Sequence, residues 1–244
     1  MTRRRWIADA WDETSASITG EQAAHLIRVL RGQTGTECDM VAGDRLWRAV
    51  IAGIQGDTVR FALLFEVEAE PALPVTLLLA VFKFDRMEWM IEKATELGAE
   101  RFIPVSARRS EKHLVQAAAG RVERWRRIAR EAAKQSRRSD VPAVDDLLPL
   151  KDAVRLRGPE PCLRLLLAEQ ERSTTLLAAL QSALILGGKK PKVQLAIGPE
   201  GGWTTEEESL FAGEGWQSVT LGQRILRAET AGIAATAVLA ALLG

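Results

Sequence analysis

Three apolar runs constrain this chain most: Val75-Thr-Leu-Leu-Leu-Ala-Val-Phe82, Leu163-Arg-Leu-Leu-Leu-Ala168 and Val193-Gln-Leu-Ala-Ile197. A strand with one face in water alternates apolar and polar residues. A strand buried on both faces reads as a nearly continuous apolar run, which is the habit of a parallel sheet covered by helices. Helical patterns follow these runs. Arg86 to Leu97 carries Met87, Met90, Ile91, Ala94 and Leu97 at helical spacing and closes at Gly98. After a short strand, Arg101 to Val105, a second helix is expected over Arg121 to Arg138. Its apolar stripe is Val122, Trp125, Ile128, Ala129 and Ala132. Ser173 to Leu184 reads as a helix, and Thr204 opens another with Glu207 as its capping-box partner. Ser218 to Leu221 is a last short strand and Ala228 to Leu243 a last helix. Strands alternating with helices define an α/β domain with a mainly parallel sheet.

The first seventy residues have a different texture. Thr36 to Ala42, Leu46 to Ile51 and Thr58 to Val67 are strand-like and are punctuated by Gly43-Asp44 and Gly56-Asp57. Short strands with such turns predict a small barrel or sheet. One helix, Glu21 to Leu30, is expected, with Thr19 as cap and Gln22 completing a capping box. Ala69-Glu-Pro-Ala-Leu-Pro74 has two prolines and no periodicity, so it is read as the linker between domains over 1–70 and 71–244.

Composition narrows the function class. The 244 residues are 47% hydrophobic and 27% charged, which excludes a disordered or collagenous chain. Cys38 and Cys162 are isolated, so neither a disulfide framework nor a zinc site is expected, and the thiols suit a reducing cytoplasm. Arg3, Arg4 and Arg5 resemble the start of a signal peptide, but no apolar segment follows. Ala231 to Leu243 is too short to span a bilayer. The net charge of +1 hides an imbalance: Arg101 to Asp140 holds twelve Lys/Arg against four Asp/Glu, and the rest of the chain is acidic. A stretch of +8 is either a solvated face or a footprint for phosphates, and the dominance of arginine favours phosphates.

Two glycine turns carry the chemistry. Ile197-Gly-Pro-Glu-Gly-Gly-Trp203 follows a buried strand and precedes a capped helix. It is neither a dinucleotide fingerprint nor a phosphate loop. It is either a tight turn alone or a place where backbone approaches a ligand at a strand's carboxyl end. Leu221-Gly-Gln-Arg-Ile-Leu-Arg-Ala-Glu-Thr230 joins the last strand to the last helix. Glu229 there suits a helix N-terminus, whereas Arg227 beside Leu226 more readily meets a negative ligand or substrate.

These two turns resemble the SPOUT methyltransferases, the trefoil-knotted class, and within them the RsmE family. Lys93-Ala-Thr-Glu-Leu-Gly98, Glu131-Ala-Ala-Lys-Gln-Ser-Arg-Arg138 with Val141-Pro142, and His25-Leu-Ile-Arg-Val-Leu-Arg31 match that family in order. Lys134 departs from its pattern, and Pro149 to Pro161 matches none of it. The resemblance implies methylation of N3 of a uridine in 16S ribosomal RNA with S-adenosylmethionine, a PUA-like barrel before a knotted domain, and a homodimer. It places the cofactor among Leu167, Ala168, Glu169, Ile197, Gly198, Pro199, Glu200, Gly201, Gly202, Leu221, Gly222, Ile225, Leu226 and Arg227. Arg227 and Glu229 are the catalytic candidates. Arg227 would stabilise charge developing on the uracil oxygens. Glu229 or Glu200 as base competes with helix capping and loop ordering, and His25 with packing. Arg3, Arg4, Arg5, Arg28, Arg31, Lys134, Arg137 and Arg138 are the RNA-binding candidates, the partner being ribosomal RNA or the small subunit, with no membrane and no metal. A non-catalytic RNA-binding assembly factor and a transfer-RNA methyltransferase of the same fold stand as alternatives.

Overall fold

The computed structural model describes residues 4–43, 45–69, 72–158, 161–187 and 190–244. The chain divides into two compact units, Met1–Pro71 with Ala133–Val141, and Ala72–Ala132 with Pro142–Gly244. The first is built on β1 (Arg5–Ile7), β2 (Ala10–Trp11), β3 (Ser15–Ile18), α1 (Gly20–Ala24), β4 (Glu37–Ala42), β5 (Arg45–Gln55) and β6 (Thr58–Glu66). Its six-stranded sheet runs β1-β4-β5-β6-β3-β2 and is antiparallel except for β1 beside β4. Two register shifts in β5, at Arg48/Ala49 and Ile51/Gly53, bend it. The hairpin from β5 to β6 turns at Gly56, whose φ of +62° needs glycine. Ile18, Met40, Ile51, Val59 and Phe61 fill the core.

The helix expected over Glu21 to Leu30 is instead α1 followed by a π-helical turn, His25–Val29. The expected capping box does not form. Thr19 Oγ1 and the Thr19 N–H both donate to Asp9 Oδ2, at 3.1 and 2.8 Å, and Gln22 Nε2 donates to the Ile7 carbonyl at 3.2 Å. Both polar side chains are engaged with the preceding strand segment and are unavailable to the helix end.

The second unit comprises β7 (Leu73–Ala80), α2 (Phe84–Glu96), β8 (Ala99–Ser106), α3 (Lys112–Ala118), α4 (Val122–Gln135), β9 (Ala143–Val144), β10 (Leu148–Pro149), α5 (Leu150–Ala153), β11 (Cys162–Leu167), α6 (Leu176–Gly187), β12 (Lys192–Ile197), α7 (Thr205–Gly213), β13 (Gln217–Val219) and α8 (Ala228–Leu243). Its seven strands are all parallel, in the order β10-β8-β7-β12-β11-β13, with β9 beside β8. Leu77, Leu79, Leu165, Leu195 and Ile197 are buried on one face of this sheet, and Leu78, Ala80, Leu166 and Ala196 on the other. Burial on both faces explains the continuous apolar runs. Pro74 lies inside β7 rather than in a linker. It is tolerated where the pairing of β7 with β8 is irregular, between Leu73 and Thr76.

Helix α4 stops at Gln135, short of the expected Arg138. Arg137 turns to φ +56°, and the Arg138 N–H donates to the Ala133 carbonyl at 3.0 Å, a left-handed cap that ends the helix. In α7 the Thr204–Glu207 capping box is complete. Helix α8 buries Gly232, Ala235, Thr236, Leu239 and Leu243 in the core. Among the described residues, no helix is long and apolar enough to cross a membrane.

Candidate active site

Parallel strands end on the same edge of their sheet. Because β12, β11 and β13 are neighbours, the loops that leave their carboxyl ends are brought side by side. The three loops enclose a cavity of about 290 Å³, near the lower bound of small-molecule sites.

Hydrogen bonds stitch the walls together. The Ala168 N–H donates to the Val219 carbonyl at 3.1 Å, and the Thr220 N–H to the Thr174 carbonyl at 2.9 Å. In the β12 loop the Gly202 N–H closes a turn onto the Pro199 carbonyl at 2.9 Å, with Gly202 at φ +68°. Trp203, buried against Phe211, donates Nε1 to the Leu167 carbonyl at 3.2 Å and ties the β12 loop to β11. Arg109, reaching in from the segment after β8, donates Nη1 to the Gly201 and Trp203 carbonyls at 2.8 and 3.0 Å. In the β13 loop the Gly222 N–H donates to Thr220 Oγ1 at 3.2 Å, and Gly222 takes φ +126°. Glu171 orders the β11 loop. Its carboxylate accepts from the Ser173 hydroxyl and from the Ser173 and Thr174 N–H groups, which hold it down at about 2.

Leu167, Ala168, Glu169, Ile197, Gly198, Pro199, Glu200, Gly202, Leu221, Gly222, Ile225, Leu226 and Arg227 all line the cavity. Gly201 does not: a Cβ there would meet the Arg109 side chain at 3.2 Å. At Gly222 a Cβ would meet nothing within 4 Å, so it would project into open space. Arg227 is the N-cap residue of α8, is exposed, and makes no side-chain cap. Glu229, in the first turn of α8, lies elsewhere. It is only 4% exposed, is absent from the cavity lining, and faces Arg86 of α2 instead, Oε1 to Nε 3.8 Å. As a base acting inside the cavity it is displaced, because α8 turns it onto α2. Glu200 keeps a cavity position and stands 3.9 Å from Arg86 Nη1. The sequence reading missed Arg86 and Arg109. Arg86 stands in the first turn of α2 ahead of its apolar stripe, and Arg109 sits inside a charge run, so no local signal separated either one.

The described RNA-binding candidates all belong to the first unit. Arg3 lies outside the described residues. Arg4, Arg28 and Arg31 are exposed. Arg5 donates Nη1 to the Arg137 carbonyl at 2.7 Å. Lys134 pairs with Asp9 at 3.5 Å, and Arg138, its side chain 8% exposed, grips both oxygens of Asp140. Other cations of the stretch are paired too: Arg101 with Asp145, Arg121 and Arg124 with Glu88, and Arg126 with Glu123 and Asp146. Arg127 and Arg137 are exposed and make no ion pair among the described residues. Neither histidine lines the cavity: His25 is exposed beside Trp6, rings 6.4 Å apart, so it is not packed in the core. Cys38 is no nucleophile, since burial pushes its thiol up to about 12.

Residues 69–240 match the family of the RNA methyltransferase domain. A ribosomal RNA small subunit methyltransferase E from Synechocystis is 38% identical over 95% of this chain and 74% of its own length. One from Bacillus subtilis is 33% identical over 88% of this chain and 85% of its own. The crystal structure of a ribosomal RNA small subunit methyltransferase E from Neisseria gonorrhoeae bound to S-adenosyl methionine superposes with a TM-score of 0.77. It has 27% identity and covers 100% of this chain and 99% of that one.

Proposed function

The chain belongs to the RNA methyltransferase domain family, in its ribosomal RNA small subunit methyltransferase E branch, and from that premise we propose that it methylates N3 of a uridine in 16S ribosomal RNA with S-adenosylmethionine. The observation that carries this reading is the meeting of three strand-end loops around one cavity, with Arg227 on its rim. The lining fits the cofactor. Leu167, Ile197 and Leu226 offer apolar surface, and the turns at Gly198 and Gly222 offer bare backbone to an adenine edge. When bound, S-adenosylmethionine supplies a methyl group already activated by its sulfonium.

What remains for the protein is orientation and electrostatics. The target N3 lies on the pairing edge, so the base must be unpaired or splayed out to enter. Loss of the N3 proton to solvent leaves negative charge on N3 and the uracil oxygens, and gaining the methyl then discharges it. Arg227, which lines the cavity with the exposed Arg172 and Arg224, is suited to stabilise that charge, because it is exposed and makes no ion pair among the described residues. Exposed Arg4, Arg28, Arg31, Arg127 and Arg137 supply phosphate contacts, with the first unit as a second RNA grip. The same reading takes residues 1–70 as a PUA-like barrel and 71–244 as a SPOUT domain threaded into a trefoil knot. It makes the protein a cytoplasmic homodimer with the cofactor near the shared face.

Calorimetric titration with S-adenosylmethionine, followed by methylation of small subunits and mass-spectrometric mapping of N3-methyluridine, tests the proposal. Cofactor binding with N3-methyluridine in 16S RNA is the expected outcome. No cofactor binding would make the chain a non-catalytic assembly factor, and product in transfer RNA alone would change the substrate.

A further inference from the structure

Glu229 is a carboxylate inside a helix interface, 4% exposed, and its Oε2 accepts no hydrogen bond among the described residues. Burying a charge in this way is costly without a compensating partner. The compensation comes from one guanidinium. Arg86 presents Nε to Glu229 Oε1 at 3.8 Å and Nη1 to Glu200 Oε1 at 3.9 Å. The three residues stand on three elements: Arg86 in the first turn of α2, Glu200 in the loop after β12, and Glu229 in the first turn of α8. One turn further along, α2 and α8 touch closely, for a Cβ at Gly232 would overlap the end of Met90. The α8 contact is therefore fixed by packing, whereas the contact to the β12 loop depends on charge.

Glu200 lines the cavity, and so do Ala228 and Ala231 on either side of Glu229. Arg86 does not line it, yet it is charge-paired to one wall and to the helix that starts the other. We infer that Arg86 is a positioning residue: by facing Glu200 and Glu229 with two nitrogens of one guanidinium, it fixes the β12 loop against the start of α8 and so sets cofactor affinity. The inference rests on the cavity being the S-adenosylmethionine site. Two acceptors in two directions require a planar fork rather than a point charge, so lysine is a poor substitute.

The test is calorimetric titration of S-adenosylmethionine into the full chain, with melting temperatures, for wild type, Arg86→Met, Arg86→Lys, Arg86→Met with Glu229→Gln, and the cycle of Arg86→Met with Glu200→Gln. Arg86→Met is expected to weaken binding about tenfold and to lower the melting temperature, with Arg86→Lys recovering only part of each. Adding Glu229→Gln removes the stranded buried charge, so the melting temperature should return while affinity stays low. In the cycle, Arg86→Met and Glu200→Gln together should cost less affinity than the sum of the two. Affinity that returns with the melting temperature, or additive losses at Arg86 and Glu200, would overturn the inference and leave Arg86 a charge-balancing residue. Wild type that fails to bind would instead overturn the cofactor reading.

Discussion

The cavity loops and the basic stretch from Arg101 to Asp140 are both crowded with chemically capable residues, and the fold treats them in opposite ways. The loops leave three neighbouring parallel strands, so whatever they carry is delivered to one place. The stretch spans a strand, two helices and a cap, and it is divided between the two units. Acids outside the stretch, Glu88, Asp145, Asp146 and Asp9, meet several of them. A glycine turn at a strand end keeps its meaning in three dimensions, because the sheet fixes where it points. A local charge excess does not, because side chains several ångströms long also find counter-ions far away in sequence, as Arg101 finds Asp145.

The sharpest way to break this contrast is Arg227→Ala. Arg227 is exposed and makes no ion pair among the described residues, so stability should change by less than about 0.5 kcal/mol. The single-turnover rate of methyl transfer should fall by roughly 10²–10³, the effect of losing one oxyanion-type donor. Normal turnover would remove Arg227 from the chemistry, and an early melt would make it scaffold.

Gly222→Val comes next. Its φ of +126° strains any side chain, at a cost on the order of 1–3 kcal/mol, and the new methyls would point into open space beside the cavity lining. Cofactor affinity should be lost. Gly201→Val should do less, since its Cβ presses on the lining residue Arg109 rather than entering the cavity itself. Equal losses would mean that the cavity boundary lies nearer Gly201.

Within the basic stretch, two pairs of effects should separate. Arg138→Ala strands Asp140 and should lower stability by about 1.5–3 kcal/mol, the range for hydrogen bonds to charged groups, with RNA affinity intact. Arg127→Ala with Arg137→Ala should leave the melting temperature alone and flatten the salt dependence of RNA binding, by about 0.7–0.9 in log–log slope per lost phosphate contact. The reverse pattern would show that the paired arginines open to meet RNA.

The smallest effect concerns pH. Glu171 is held at about 2, below the ordinary 4.5, by the Ser173 hydroxyl and backbone N–H groups. A depressed folded value means that its contribution is complete above about 4.5 and fades as the pH falls toward 2. Melting curves between those limits should therefore be shallower in Glu171→Gln than in wild type. Identical curves would detach Glu171 from the ordering of the β11 loop.

What the sequence by itself determined is what depends on near neighbours along the chain. Runs such as Val75 to Phe82 specify strands buried on both faces. The Thr204–Glu207 box, three residues apart, specifies where α7 begins, and Ala228 to Leu243 is helix to the residue. Even locally the reading failed where a distant group intervened, as when Asp9 took Thr19 away from its helix. The tertiary structure alone decided the order of the strands, with β13 beside β11, and hence that the three loops share a cavity. It alone set Arg101 against Asp145, 44 residues away, and Arg86 between Glu200 and Glu229. The physical reason is that burial and helix initiation are governed by residue type within a few positions, whereas a charge is answered by whichever opposite charge the folded backbone carries within about 4 Å.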